Sequence, residues 1–256
     1  MTAKLFDLTG RRAIVTGSSR GIGLALAVGL AEAGADVVLN GRDPERLQQA
    51  RAWLAERAFG AVHASAFDVT DQAAVEAAVR DIGHRLGPVD ILVNNTGVQH
   101  REPLLEVSVA DWRRVVDTNL TGAFIVGRTV AKGMVERGHG KIVNVCSVQT
   151  WLARPGIAAY AASKGGLGML TRGMCAEWAA SGVNVNGIAP GYVVTELTRP
   201  LVEDPAFDGW IRERTPAGRW ANPEDLTGTL VWLASSASDF VNGQVIAVDG
   251  GLTAVV

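Results

Sequence analysis

Three side chains near the middle of this 256-residue chain have the types and spacing for proton transfer. Tyr160 and Lys164 stand four apart at the opening of a helical run that reaches about Ala180, so they share one helix face. Ser147 ends the strand-like run Lys141-Ile142-Val143-Asn144-Val145-Cys146. An unperturbed phenol ionises at about pH 10, too high for a base at neutral pH. A lysine one turn away and a helix N-terminus both favour the phenolate. A serine at a strand end, facing the same crevice, can hydrogen-bond a substrate oxygen. Surface Tyr/Lys pairs at this spacing are common on helices, so the pair needs a binding site around it to carry meaning.

That site is signalled by Thr16-Gly17-Ser18-Ser19-Arg20-Gly21-Ile22-Gly23. A β-type run, Ala13-Ile14-Val15, leads in, and a small-residue helical run over 24–31 leads out. In a strand–turn–helix unit, Gly17, Gly21 and Gly23 let the backbone turn sharply, approach a pyrophosphate and seat the helix on the sheet. The helix N-terminus then offers free N–H groups and a positive dipole end to phosphate. A dinucleotide is the expected ligand, and an oxidised nicotinamide would favour the Tyr160 phenolate further. The strand over 36–40 ends in Asn40, where an acidic residue would bind two adenosine ribose hydroxyls. Arg42 lies close by and Arg20 sits in the glycine turn; guanidinium groups pair well with a 2′-phosphate. NADP is therefore expected rather than NAD.

The remaining elements alternate strand and helix. Asp68 follows a strand near 62–67; it can reach an adenine amino group or cap the helix that starts near Asp71, and the sequence leaves both open. Asn94-Asn95-Thr96-Gly97 follows a strand over 90–93, which suits a cofactor crevice and a strand-end turn alike. Ser108 caps a helix expected to run to Arg137, with Gly138 as its stop. Asn119 lies inside it, either exposed or marking a local distortion. Gly165, Gly166, Gly168 and Gly173 each cost about 1 kcal/mol inside the helix of Tyr160. That cost suggests close approach of another backbone, plausibly the same helix of a second subunit. After a strand over 183–188 and the turn Ala189-Pro190-Gly191, residues 192–218 have weak periodicity and read as a substrate lid. A helix capped at 222–225 and a strand over 244–248 close the chain.

Composition narrows the class. The hydrophobic share is 48%, the charged share 20% and the net charge −2, so nothing favours nucleic acid or an anionic membrane. Cys146 and Cys175 make no disulfide framework and read as buried thiols. The four histidines show no ligand spacing, so no metal is expected. The segment beginning at Met1 lacks the apolar core of a signal peptide, and no run is long enough to span a bilayer. The expectation is a soluble cytoplasmic protein, one domain over 1–256.

Taken together, the glycine turn, Asn94-Asn95-Thr96-Gly97, Asn119, Ser147, Tyr160/Lys164 and Pro190-Gly191 resemble the short-chain dehydrogenase/reductase family over nearly the whole chain. The resemblance implies a doubly wound Rossmann fold whose parallel seven-stranded sheet runs in order 3-2-1-4-5-6-7. It implies Tyr160 as general acid/base, Lys164 holding the nicotinamide ribose, Ser147 orienting substrate and Asn119 holding a relay water. It also implies cofactor contacts at Gly17, Ser19, Arg20, Gly21, Ile22, Gly23, Asn40, Arg42, Asp68, Val69, Asn95, Gly97, Tyr160, Lys164, Pro190, Gly191, Val193 and Thr195, and a homotetramer. Thr96 replaces the usual alanine.

Within the family, segments such as Val145-Cys146-Ser147-Val148-Gln149 and Arg214-Thr215-Pro216-Ala217-Gly218-Arg219-Trp220 are similar to the gluconate 5-dehydrogenase group. That implies transfer of a hydride between NADP(H) and a sugar acid, D-gluconate or 5-keto-D-gluconate. A polyol acid needs donors and a cation along its length, and Ser147, Gln149, Arg154 and Tyr160 are the candidate substrate contacts, with His100 and Arg101 nearby. Thr150-Trp151 departs from the Ser-Glu common in that group, and His100 from its arginine. Two other functions remain open: reduction of 3-oxoacyl thioesters on a carrier protein, or another carbonyl, and a non-enzymatic NADPH-binding regulator.

Overall fold

Parallel strands need long crossovers, and this chain supplies a helical run after nearly every strand-like run. The computed structural model describes residues 2–256; Met1, where the reading of the N-terminal segment begins, lies outside them. A short helix α1 (Thr2–Leu5) precedes β1 (Arg12–Val15), α2 (Gly21–Glu32), β2 (Asp36–Gly41), α3 (Pro44–Ala55), β3 (Val62–Ala66) and α4 (Gln72–Leu86). Then come β4 (Ile91–Asn94), α5 (Val109–Val116), α6 (Gly122–Arg137), β5 (Gly140–Val145), α7 (Ala158–Trp178) and β6 (Val183–Pro190). The chain closes with α8 (Arg199–Val202), α9 (Pro205–Arg214), α10 (Thr227–Ala234) and β7 (Val245–Val248).

The strands form one parallel sheet in the order β3-β2-β1-β4-β5-β6-β7, as the resemblance implies. β1 pairs with β2 on one side and β4 on the other, so successive crossovers diverge there and leave a crevice at the carboxyl ends. Strand side chains alternate between two cores. Ala13, Val15, Val37, Leu39, Ile91 and Val93 pack with α2, α3 and α10 on one face. Ile14, Val38, Leu92 and Ile142 pack with α4, α6 and α7 on the other.

Local chemistry sets the helix ends. Asp43 accepts from the N–H groups of Glu45 and Arg46, Asp71 from Ala74, and Ser108 from Asp111. Gly138 stops α6 in the left-handed region at φ +71°. Capping by Asp71 removes one of the two uses open for Asp68.

The structure selects the local distortion left open at Asn119, corrects the reading of the α7 glycines and adds two helices to the stretch of weak periodicity. The helix expected from Ser108 to Arg137 is interrupted by a π-turn over Asp117–Thr121, between α5 and α6. Two of the glycines of α7 face their own chain rather than a second subunit. A Cβ on Gly166 would stand 2.8 Å from Leu120, and one on Gly168 2.7 Å from Thr150, whereas Gly173 meets nothing. The stretch over 192–218 carries two short helices, α8 and α9, each with proline in its first turn.

Candidate active site

The glycine turn is braced before anything binds to it. Asn95 Nδ2 donates to the carbonyls of Thr16 and Gly17 at 2.9 and 3.1 Å. A Cβ on Gly23 would stand 2.3 Å from Gly17 O, so no other residue seats α2 this closely. Gly17 and Gly21 hold φ of +62° and +55°. Beyond this turn, a cleft of about 1200 Å³ follows the carboxyl ends of the strands.

Every residue named above as a cofactor contact lines this cleft. Their side chains do different work. Asn40 is buried, accepts from Gly17 N at 3.4 Å and donates Nδ2 to Ser65 O and Phe67 O at 3.2 and 3.1 Å. Its amide is therefore spent on backbone, and Asn40 joins β2, β3 and the glycine turn. Asp68 accepts from Thr70 and lies 3.6 Å from Arg42. Burial pushes the Asp68 carboxyl up, but the Thr70 bonds and the Arg42 charge outweigh it and hold it below its ordinary range. Arg20 is paired with Glu196, across the cleft mouth. Arg46, in the first turn of α3, lines the same end and was not singled out from the sequence; its place three residues after the Asp43 cap was the available signal. Thr96 Oγ1 is buried without a partner, 3.0 Å from where a Cβ on Gly17 would stand.

At the other end, β5 delivers Ser147 and the first turn of α7 delivers Tyr160, both lining the cleft. Ser147 Oγ accepts from Gln149 N at 3.2 Å. Lys164 is buried, donates to Val145 O at 2.6 Å, and its Nζ lies 5.8 Å from the Tyr160 ring centroid. Burial pulls the ammonium down from 10.5 to about 8. Burial also pushes the Tyr160 phenol up, against a hydrogen bond to Ser147 that lowers it; Cys146 and Tyr192 add to the rise. The net direction reverses the lowering expected from the lysine and the helix end. The ammonium sits over the ring, and a desolvated phenolate costs more than it returns.

Asn119 and two candidate substrate contacts lie outside the cleft wall. Asn119 is buried in the π-turn, where Oδ1 accepts from Val98 N at 2.7 Å and Nδ2 donates to Val98 O and Ser163 Oγ. The distortion, not exposure, is the outcome there. Gln149 is buried with Oε1 unpartnered, and Arg154 has Nε buried and unpartnered. His100 is held by Glu102 at 2.8 Å and lies 3.7 Å from Asp111, which makes it a network member rather than a free donor. Trp151 is half-exposed and does not line the cleft.

A model of the short chain dehydrogenase family matches residues 11–206. The chain belongs to that family. Among its relatives, gluconate 5-dehydrogenase of Gluconobacter oxydans (strain 621H) is 54% identical over 97% of each chain. The 5-keto-D-gluconate 5-reductase of Escherichia coli (strain K12) is 48% identical over 98% of this chain and 99% of its own. A gluconate 5-dehydrogenase from Burkholderia cenocepacia J2315, solved in complex with NADP and tartrate, superposes with a TM-score of 0.97 at 53% identity over the whole of both chains. Membership in the family accounts for the sheet order and for the meeting of the glycine turn with Tyr160 and Lys164 in one cleft. Among the described residues, no helix is long and apolar enough to cross a membrane.

Proposed function

We propose that the chain is an NADP-dependent oxidoreductase acting on a sugar acid, D-gluconate at C5 or 5-keto-D-gluconate in reverse. One observation carries it: a single cleft joins an arginine-bearing end at Arg20, Arg42 and Arg46 to the Ser147–Tyr160–Lys164 end. The residues fit NADP. The arginines suit a 2′-phosphate, and the positive-φ glycines admit a pyrophosphate at the start of α2. Lys164 gives one of its three donors to Val145, which leaves others for ribose hydroxyls. The relatives named above lend the substrate class.

When bound, NADP supplies the hydride acceptor or donor and, oxidised, a positive ring. Tyr160 takes the hydroxyl proton in oxidation and returns it in reduction. Ser147 hydrogen-bonds the reacting oxygen and the phenol. Ser147 works against the burial that opposes a phenolate, the net direction stays upward, and the positive ring of the oxidised cofactor would favour the ionised form further. Asn119 acts one step removed, by tying the π-turn to the loop at Val98 and to α7. Arg154, outside the cleft wall as its loop stands, is the cation assigned to the acid end, with Arg101 on the adjoining loop.

The chain is one domain over 1–256 with a lid at about 192–218, and it works in the cytoplasm as a homotetramer on a small molecule. Exposed Trp112, Phe124 and Met169 on α5, α6 and α7 give the subunits an apolar surface to share. Light scattering at micromolar concentration tests the assembly; a monomer removes it. The activity is tested by comparing 5-keto-D-gluconate with an acetoacetyl thioester, each with NADPH and NADH. Faster turnover of the keto acid with NADPH supports the reading; preference for the thioester moves the chain to carrier-protein substrates, and no turnover leaves the regulator.

A further inference from the structure

Besides the Arg20–Glu196 pair, two more arginines from outside the segment over 192–218 reach into it. Arg154 follows β5 and Arg101 follows β4; the two loops are joined by Glu102 N donating to Gly156 O at 3.0 Å. Arg154 Cζ lies 5.4 Å from the ring centroid of Phe207, on α9. Arg101 Nη2 donates to Leu197 O at 3.3 Å. Burial raises the Tyr192 phenol and the Arg154 charge works against that rise. Among the described residues, neither arginine is ion-paired with a carboxylate, and Arg154 Nε is buried without a partner.

Phe207 is itself fixed. It packs with Trp210 at 5.4 Å, Tyr192 at 5.7 Å and Trp220 at 6.2 Å between centroids. Trp220 is buried and donates Nε1 to Asp208 Oδ1 at 2.8 Å, which pins the start of α9 to the cluster. A planar guanidinium stacked on a fixed ring still offers its Nη groups to a carboxylate, and its orientation costs no further ordering.

We infer that Phe207 is a positioning residue for Arg154, so that settling α9 and orienting the cation for an anionic substrate end are one event. This rests on the sugar-acid reading. Discrimination between acid and neutral substrates then resides in α9, while proton transfer resides in the rigid frame of β5 and α7.

The test compares wild type, Phe207→Leu, Phe207→Met and Phe207→Tyr, each with NADPH and either 5-keto-D-gluconate or L-sorbose, in which CH2OH replaces the acid group. Phe207→Leu and Phe207→Met should raise KM for the acid about tenfold, the fold-change of a lost cation–π contact. Their kcat for the acid, KM for L-sorbose and Kd for NADPH should stay at wild-type values. Phe207→Tyr keeps the ring and should restore KM. Equal rises for both substrates, an unchanged acid KM, or failure of the Tyr variant to restore it overturns the inference while a wild-type acid preference leaves the sugar-acid reading standing. Absence of that preference in wild type overturns both.

Discussion

Asn119 donates to Ser163 Oγ at 3.0 Å, so the π-turn is bonded to α7 one residue before Lys164. The same amide pairs with both backbone groups of Val98. Asn119→Ala leaves those half-buried groups unpaired, at a cost of about 1 kcal/mol for each, the low end for an unmade bond. It should lower both the urea midpoint and kcat. Unchanged urea unfolding would show the bonds to be dispensable.

Tyr160→Phe keeps the ring and removes the proton carrier. Turnover should fall by about 10²–10⁴-fold, the range for a lost general acid/base, with NADPH still bound. Near-wild-type kcat would exclude Tyr160 as that group.

Cofactor choice should reside in the arginines that follow β2, Arg42 in the loop and Arg46 in the first turn of α3. Arg42→Ala and Arg46→Ala should each weaken NADPH by about 1–3 kcal/mol, as for one charge-assisted contact, and leave NADH little changed. Equal losses for both dinucleotides, measured by fluorescence titration, would remove the 2′-phosphate from that end.

Lys164 predicts a pH dependence of stability. Its folded value is about 8 against an ordinary 10.5. Between these values the unfolded chain holds the proton that the folded chain has released, so stability rises with pH. The burden of a buried ammonium is fully present below pH 8 and is relieved above it. Cys146, raised by burial from 9.0, and Tyr160, raised by burial, oppose this at higher pH because the folded state then holds the extra protons. The window is therefore about pH 8 to 9. There, wild type should gain roughly 1 kcal/mol per pH unit in urea unfolding relative to Lys164→Met. A flat difference between the two proteins contradicts the depressed ammonium.

Much of the site is legible because it is written in short spacings. Gly17, Gly21 and Gly23 specify a turn that only glycine makes, and Tyr160 with Lys164 is fixed by one helical turn. Asn119 shows the limit. Asparagine marks a poor helix interior, but one extra residue in a turn leaves no periodic trace between Val109 and Arg137, so the break and its bonding partners appear only in three dimensions. Gly166 and Gly168 were legible as tight positions, not as to what presses on them, because Leu120 and Thr150 come from distant elements. The direction of the Tyr160 shift was missed for a similar reason: spacing gives the neighbour, whereas burial, the larger effect, is set by the whole fold.

The double donation by Asn40 has a consequence for engineering. In folds of this type a carboxylate at the end of the second strand grips the adenosine ribose of NAD. Here that position faces two carbonyl oxygens, Ser65 O and Phe67 O, which a carboxylate repels and an amide satisfies. A conversion to NAD is better begun on the exposed side, at Arg42 and Arg46, with the new acid placed beyond Gly41 where solvent can share its charge.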